Sequence, residues 1–243
     1  MSIVLIFDCG ATNLRTIAMN DKGKIMASHH LANNTQQGSE SPDYHIWDFE
    51  EIWQKLTMCA DNTITQLKQQ QVDLKEIVGI SVTTFGVDGA PFDKNGQQLY
   101  PIISWKCPRT VPVMEFKLLW LKENKPDIFQ KMDKFVFISS MLTQRLTSKF
   151  TTDRTMAGTS MMTNLATGNW DEDILKLLGL SQKHFPPLHN AGEKVGELTS
   201  ALADHWGLNR IPVISCGHDT QFAVFGSGAG LNQPVLSSGT WEI

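Results

Sequence analysis

The stretch IVLIFDCGATNLRTIAMNDKGKIMASHHLA, residues 3–32, decides the fold. It divides into three apolar runs, separated by a turn at Gly10 and by the turn DKGK at residues 21–24. Turns this short join antiparallel strands, so the stretch predicts three strands in two successive hairpins. A dinucleotide-binding unit would pass from its first glycine turn into a helix. The chain therefore does not begin as a Rossmann fold.

The rest of the chain alternates helical and strand patterns. Asp48 is predicted to cap a helix, because apolar residues recur at helical spacing from Phe49 to Leu67. The apolar run at 77–85 is typical of a strand buried on both faces. Further strands are predicted at 102–105 and 211–217, with a turn at Asn95 and Gly96, and further helices at 116–146, at 171–179 and from Thr220. This order predicts an α/β fold with a mixed sheet and helices on both faces.

Composition limits the classes of partner. The chain has 243 residues, of which 41% are hydrophobic and 19% charged, enough for one large core or two modest ones. Its formal net charge is -4, with Lys and Arg spread along the chain. No basic face for nucleic acid and no basic amphipathic helix for a membrane are apparent. A small-molecule partner is expected.

The termini and the cysteines bear on localisation. The opening MSIVLIFDCG is too short in apolar residues for a signal peptide or a membrane span. The four cysteines, of which none forms a CxxC pair, argue against a zinc site and a redox motif. Reduced thiols in a cytoplasmic protein are expected. Because the sequence stops just after the turn-like SSGTW, more polypeptide is expected beyond Ile243.

Four polar stretches follow predicted strands: DCGATNLR at 8–15, TTFGVDGA at 83–90, CGHDTQ at 216–221 and LSSGTW at 236–241. Ligand crevices of open α/β sheets lie at such strand ends. We therefore expect the four stretches to converge.

The first stretch predicts an anion site. Gly10 permits a tight turn, Thr12, Asn13 and the neighbouring backbone amides can point at a phosphate, and Arg15 returns on the next strand. Asp8 at the strand end is expected to hold a hydrated Mg²⁺, which takes few carboxylates and keeps its waters. A plain hairpin with Asx hydrogen bonds fits the same residues equally well.

The other stretches also have two interpretations. SSGTW suits a second phosphate loop or an ordinary turn. A carboxylate at Asp88 can accept from two sugar hydroxyls, although Asp-Gly is also a strong turn signal. Asp219 comes after a strand and before a helix, where it can act as an N-cap or as a chemical group of the site.

Taken together, six motifs resemble the FGGY family of carbohydrate kinases. They are DCGATN, TTFGVDGA, YPIISWKCPRT, FTTDRTMAGTSMM, GHDTQFAVFG and LSSGTWEI, and they occur in the family's order across the chain. The resemblance implies an actin-like, ribonuclease H-like fold in two domains with ATP and Mg²⁺ between them. Residues 1–243 would be the N-terminal, sugar-binding domain and would end at the start of the second domain.

The implied reaction is ATP-dependent phosphorylation of the terminal hydroxyl of a deoxyketose. The resemblance favours L-fuculose, giving L-fuculose 1-phosphate, over L-rhamnulose or another ketose. A non-catalytic sugar-binding module on the same fold is the alternative.

The resemblance also implies roles for individual residues. Asp219 would be the general base. The ATP phosphates would meet Gly10, Ala11, Thr12, Asn13, Leu14, Arg15, Ser238, Gly239 and Thr240. The sugar would meet Gly86, Asp88, His218, Asp219 and Thr220. The segment TTDRTMAGT from Thr151 would have a mainly structural role.

One departure from the family pattern lies around Glu115 and Phe116. The family has an additional loop and helix at this point near the sugar site. Either the protein lacks them or the 243-residue sequence omits them.

Overall fold

The predicted N-terminal hairpins are present. A computed structural model of the chain describes residues 1–110 and 114–238. Its first three strands are β1 (Ile3–Cys9), β2 (Asn13–Asn20) and β3 (Ile25–Ala32). Both β1–β2 and β2–β3 pair antiparallel.

Three further strands extend this unit into a six-stranded mixed sheet. They are β6 (Ile77–Thr84), β14 (Lys194–Glu197) and β15 (Pro212–His218), and the order in the sheet is β14-β15-β6-β1-β2-β3. β6 pairs parallel with both β1 and β15. The carboxyl ends of β1, β6 and β15 therefore lie at one edge, although they are far apart in sequence.

Helices lie on both sides of the sheet, and those that bury residues in its core pack on one face. Helices α1 (Phe49–Gln69), α4 (Ile138–Thr147) and α7 (Ser200–Trp206) pack on one face, where alternate residues of β1 are buried. Phe7 of β1 contacts Trp206 of α7 with ring centroids 5.8 Å apart. Helix α8 (Asp219–Gly226) follows β15 directly and borders the other face.

Between β6 and β14 the chain leaves the sheet and builds a second hydrophobic core. The elements of this excursion are β7 (Gly89–Phe92), β8 (Ile102–Ile103), α2 (Met114–Asn124), α3 (Pro126–Lys131), β9 (Lys134–Phe137), β10 (Thr152–Asp153), α5 (Arg154–Thr159), β11 (Thr163–Asn164), β12 (Asn169–Trp170), α6 (Glu172–Leu178) and β13 (Leu188–His189), in addition to α4. The second core includes Phe135, Phe137 and Trp170. The chain therefore has two hydrophobic cores and not one large core, which is one of the two arrangements expected from its length.

Several predicted elements differ in detail. The segment 116–146 is not continuously helical, because Pro126 starts a new helix and the run KFVF forms β9, which pairs antiparallel with β7. Two strands were not predicted, β4 (Gln36–Gly38) and β5 (Ser41–Trp47), since their residues are mostly polar. The strand expected at 102–105 is the two-residue β8, and the last helix begins one residue before Thr220.

The part of the chain that the structure describes contains neither a membrane-spanning helix nor a disulfide. No helix within the described residues is long and apolar enough to cross a bilayer. The thiols of Cys9, Cys59, Cys107 and Cys216 are all free.

A buried ion pair joins the loop after β6 to α2. Lys117 Nζ contacts Asp88 Oδ1, and the two side chains are 1% and 0% exposed. The other carboxylate oxygen of Asp88 accepts hydrogen bonds from Trp47 Nε1 at 2.6 Å and from the Trp105 amide at 3.1 Å. Burial raises the pKa of Asp88, while the Lys117 ammonium lowers it. The charge of Asp88 is thus tolerated because its partners replace water.

Removal of Lys117 should destabilise the folded protein, because the buried carboxylate of Asp88 would lose its positively charged partner. We expect Lys117→Met to lower the free energy of unfolding by about 3–5 kcal/mol at pH 8, because one partner of a buried pair is lost. Without Lys117 the pKa of Asp88 in the folded protein rises further above its unfolded value. The folded state then holds the proton more tightly, so the difference from wild type should shrink as the pH falls towards that raised pKa.

Urea unfolding at pH 8 and pH 5.5 measures both differences. Lys122→Met is the matched control, since Lys122 is exposed on the same helix and should change stability by less than about 0.5 kcal/mol. If the Lys117→Met protein were as stable as this control at pH 8, the ion pair between Lys117 and Asp88 would not be needed to stabilise the buried carboxylate.

Candidate functional site

An open cleft of about 990 Å³ lies at the edge where β1, β6 and β15 end. Residues from all four polar stretches line it: they are Asp8, Gly10, Ala11, Thr12, Asn13, Arg15, Thr83, Asp219, Thr220 and Ser237. Residues from β2 and β3, among them Ile17, Ser28 and His30, extend the lining along the sheet. The parallel pairing of the strands thus brings distant motifs together.

The turn between β1 and β2 lines the cleft and is closed by hydrogen bonds. The Gly10 amide donates to the Asn13 carbonyl at 2.9 Å, and a Cβ at Gly10 would lie 2.7 Å from that oxygen. The buried Asn33 donates from its amide to the Thr12 carbonyl at 2.8 Å and from Nδ2 to the Gly10 carbonyl at 2.9 Å. Within the described part of the chain, the amides of Ala11 and Thr12 have no acceptor. Two free donors in a cleft can bind an anion.

Asp8 and Arg15 face each other across the first hairpin. Arg15 Nε donates to Asp8 Oδ2 at 2.5 Å, with side chains 55% and 15% exposed respectively. The intervening Leu14 differs, because its side chain is fully buried in the core. It can therefore present only backbone atoms to a ligand.

The ligands available around Asp8 limit which metal ion could bind there. Within residues 1–110 and 114–238 no group of three His, Cys, Asp or Glu side chains could hold one. A single carboxylate fits Mg²⁺ that is bound mainly by water and phosphate oxygens.

Asp219 lies at the start of α8, beside the ends of the three parallel strands. Its Oδ1 accepts from the Thr220 amide at 2.6 Å and from the Thr220 hydroxyl at 3.2 Å. The side chain is 37% exposed and reaches the cleft. Asp219 is the first residue of the helix, and His218 occupies the cap position. Among the described residues, its carboxylate accepts hydrogen bonds from Thr220 alone, which is not the N-cap pattern of a bond to the second or third amide.

The electrostatic surroundings of Asp219 favour the neutral form. Burial raises the pKa of its carboxyl above the ordinary value, and the charge of Asp8 raises it further. The positive charge of His218 and the hydrogen bonds from Thr220 act in the opposite direction. A carboxylate with a raised pKa in a cleft is a good proton acceptor.

His218 packs between Asp219 and the loop after β6. Its Nε2 lies 3.5 Å from Asp219 Oδ1, and burial lowers the pKa of its imidazole. The ring also lies against Gly86, where a Cβ would be 2.9 Å from both Cδ2 and Nε2. Gly86 therefore allows the ring to approach the backbone. The buried Nδ1 of His218 has no partner among the described atoms.

The remaining predicted residues lie in three different situations. Asp88 does not line the cleft, and both of its carboxylate oxygens are occupied by protein donors. Ser238 is exposed, while its neighbour Ser237 lines the cleft. Gly239 and Thr240 lie outside the described residues.

Sequence reasoning missed several residues that hold the site. Thr83 donates to the Gly217 carbonyl at 3.0 Å, Asn33 holds the first turn, and Thr155 and Thr159 bond to two loops of the site. Thr83 lay within a quoted motif, and the two threonines lay in TTDRTMAGT. No local pattern marked Asn33, because its partners are 23 and 21 positions away in sequence.

Comparison with curated proteins identifies relatives along the whole chain. The chain is 72% identical over 268 aligned positions to the L-fuculokinase of Haemophilus influenzae, covering 100% of this chain and 57% of the relative. It is 44% identical to the L-fuculokinase of Escherichia coli strain K12, covering 99% and 56%. A rhamnulokinase of Bacteroides thetaiotaomicron is 32% identical, with 97% and 53% covered. The chain thus spans about half the length of the curated relatives it matches.

Solved structures share the fold. Glycerol kinase of Plasmodium falciparum with ADP superposes with a TM-score of 0.82 at 23% identity, covering 93% of this chain and 50% of that one. Xylulose kinase of Rhodospirillum rubrum gives a TM-score of 0.82 at 20% identity, covering 93% and 51%. These neighbours are sugar kinases of the actin-like fold, so the predicted fold class is confirmed.

The family model for the FGGY family of carbohydrate kinases, N-terminal domain, matches residues 3–116 and 115–226. The two segments meet where the sequence departs from the family pattern. The alignment of 268 positions with the Haemophilus influenzae relative likewise exceeds the 243 residues of this chain. The match covers most of the chain on both sides of this junction, and the relatives agree with it: the chain belongs to the FGGY family of carbohydrate kinases.

Proposed function

We propose that the chain is the N-terminal, sugar-binding domain of a longer ATP-dependent ketose kinase. The observation that carries the proposal is the content of one cleft, which contains both the half-buried carboxylate of Asp219 and the free amides of Ala11 and Thr12. Transfer of a phosphoryl group to an alcohol needs both parts, a base for the hydroxyl proton and donors for the phosphate oxygens.

In the proposed reaction the terminal hydroxyl of the ketose lies against Asp219. The hydroxyl proton passes to the Asp219 carboxylate while the oxygen forms a bond to the γ-phosphorus, and the bond from that phosphorus to the β–γ bridging oxygen breaks. ADP leaves with the electron pair of that bond. Little covalent work is left for the protein, so the position and the pKa of Asp219 are its main contributions.

The β1–β2 turn would hold the phosphates of ATP. The amides of Ala11 and Thr12 would donate to phosphate oxygens, and Arg15 would face the charge that develops on them. Gly10 and Asn13 would keep the turn closed, and Ser238, Gly239 and Thr240 would contribute from the second loop. Mg²⁺ near Asp8 would neutralise part of the charge of the β- and γ-phosphates.

The substrate we propose is L-fuculose, converted to L-fuculose 1-phosphate. The support is the identity of 72% and 44% to two proteins named L-fuculokinase, against 32% to a rhamnulokinase. His218, Thr220 and Gly86 are the proposed sugar contacts beside Asp219. Asp88 would contribute to sugar binding only if Lys117 leaves its carboxylate, since Trp47 and Trp105 hold the other oxygen.

The chain alone should have little or no kinase turnover. The relatives are nearly twice its length, and we propose that the missing part supplies most of the adenosine pocket and closes over the substrate. A cytoplasmic location agrees with this function.

Asp219→Asn in the longer protein tests the proposed base. The amide cannot accept the hydroxyl proton, so we expect kcat with L-fuculose to fall by about 10²–10⁴-fold while the fold is retained. ATP consumption should be followed with L-fuculose, L-rhamnulose, D-xylulose, D-ribulose and glycerol. Asp173→Asn is the matched control, because the side chain of Asp173 is 92% exposed on α6 and does not line the cleft.

Each outcome of this assay has a definite meaning. Preference for L-rhamnulose would replace the proposed substrate and keep the reaction. Ketose-independent ATP consumption would contradict the kinase proposal and favour an ATPase of the same fold. No ATP consumption in a folded wild type would contradict it and favour a sugar-binding module. An Asp219→Asn protein as active as Asp173→Asn would remove Asp219 from the base role.

The pH dependence of kcat/KM tests the environment of Asp219. Only the ionised carboxylate accepts a proton, and its pKa is raised by burial, so the acid limb should lie above the ordinary pH range of an aspartate. The positive charge of His218 lowers this pKa. His218→Gln should therefore move the acid limb to higher pH.

His205→Gln is the control for the pH experiment. His205 bonds Asp61 at 2.9 Å on the other face of the sheet, and its substitution should leave the acid limb in place. A limb that stays fixed in His218→Gln, or moves to lower pH, would mean that His218 does not influence the base electrostatically.

A further inference from the structure

The six-residue helix α5 contacts two loops of the site at once. Thr155 and Thr159 are one turn apart on this helix, so their side chains lie on the same face. Each hydroxyl accepts a backbone amide from a different loop. His218 donates to Thr155, and Val87 donates to Thr159.

The hydroxyl of Thr155, which contacts the loop after β15, is oriented by the buried carboxylate of Asp153. Thr155 Oγ1 donates to Asp153 Oδ1 at 2.6 Å and accepts from the His218 amide at 2.9 Å. The Cys216 carbonyl is a more distant acceptor at 3.5 Å. Asp153 is 6% exposed and also accepts from the Met156 amide and the Ser139 hydroxyl. Because the Thr155 proton points at a buried carboxylate, a lone pair of its oxygen remains for the His218 amide.

The backbone before His218 lies directly against this carboxylate. Gly217 has a φ of +125°, and a Cβ there would lie 1.9 Å from Asp153 Oδ1. From the other side, the Thr83 hydroxyl donates to the Gly217 carbonyl at 3.0 Å. The register of β15 against β6 also shifts between Ile214 and Gly217. The chain that leads into Asp219 is thus fixed by specific contacts, not by a regular ladder.

Thr159 contacts the loop after β6 at Val87, a residue with an unusual backbone conformation. Val87 has a φ of +59°, which is rare and strained for a β-branched residue. The Asp88 amide donates to the Gly86 carbonyl at 2.8 Å, closing a three-residue turn around Val87. The Val87 amide donates to Thr159 Oγ1 at 3.1 Å, and Thr159 itself donates to the Met156 carbonyl at 2.7 Å. Thr159 therefore supports a strained turn that would relax without it.

We infer that α5 sets the spacing between these two loops, with Thr155 and Thr159 as positioning residues. Thr155 positions loop 217–219, which carries Asp219, and Thr159 positions loop 86–88. The claim that these threonines position the two loops depends only on the contacts described above. The kinetic part rests on the proposed function, in which the first loop carries the base and the second adjoins the sugar. Loss of Thr155 should then affect mainly the chemical step, and loss of Thr159 mainly sugar binding.

Amide hydrogen exchange in the 243-residue chain tests the structural part without catalysis. Thr155→Val keeps the shape of the side chain and removes its acceptor, so the His218 amide should exchange about tenfold faster while the Val87 amide is unchanged. Thr159→Val should give the reverse pattern. Residue-resolved exchange by NMR measures both amides in each variant.

Steady-state kinetics of the longer protein test the functional part. Thr155→Val should lower kcat with L-fuculose about tenfold and shift the acid limb of the pH profile, with a KM close to wild type. Thr159→Val should raise the KM for the ketose about tenfold with little change in kcat. Thr155→Ser and Thr159→Ser keep the hydroxyl and should restore both the exchange rates and the kinetic constants.

Thr57→Val is the matched control. Thr57 donates to the Trp53 carbonyl at 2.9 Å within α1 and contacts neither loop, so its loss should leave both amides and both kinetic constants unchanged. Equal acceleration of both amides in Thr155→Val and in Thr159→Val would overturn the inference, because it would indicate general loosening. Correct exchange patterns with no split between kcat and KM would overturn its kinetic part. Absence of ketose-dependent turnover in wild type would count against the proposed function and leave the exchange result intact.

Discussion

The structure depends on the parallel pairing of β6 with β1 on one side and with β15 on the other. Parallel strands end at the same edge of a sheet, so the chain must cross the sheet between them, and the residues after each strand meet. The 127 positions between Thr84 and Pro212 contain the second hydrophobic core and α5. The cleft is therefore a direct consequence of strand order. The positions of the loops that line it depend on the second core and α5, which contact them.

Two aspartates illustrate how position decides chemistry. Asp88 and Asp219 each follow a strand of the same sheet, and burial raises the pKa of both. Asp88 is fully enclosed, with an ammonium group and two N–H donors on its oxygens, so its interactions are internal. Asp219 is partly exposed and lines the cleft; its Oδ1 accepts from Thr220 and lies 3.5 Å from His218 Nε2, while its Oδ2 has no hydrogen-bond donor among the described residues. The same residue type is thus a buried anchor in one loop and an available base in the other.

Much of the fold could be predicted from local patterns. The three apolar runs of residues 3–32, the helix after Asp48 and the apolar run at 77–85 are clear signals of their elements. The last run does form a strand, but Val78 is exposed, so the strand is not buried on both faces throughout. Patterns failed where tertiary contacts override them. KFVF lies among helical residues and becomes a strand only because β7 offers it a partner. The polar strands β4 and β5 likewise gain their order from pairing with each other and with β8.

The sequence by itself determined the family and the α/β class, since hydrophobic periodicity and turn chemistry follow from local residue types. It gave the convergence of the motifs only as an expectation, because the strand order that brings them to one edge is set by pairing between distant strands. It also marked Asp8, Gly10, Arg15 and Asp219, because polar residues directly after apolar strands are visible in the chain. Only the tertiary structure decided that Asp88 is enclosed by Lys117, that Asn33 closes the first turn, and that Thr155 and Thr159 join two loops through one short helix. These are hydrogen bonds and ion pairs between residues more than twenty positions apart. Their partners are set by packing in three dimensions, and no local pattern specifies them.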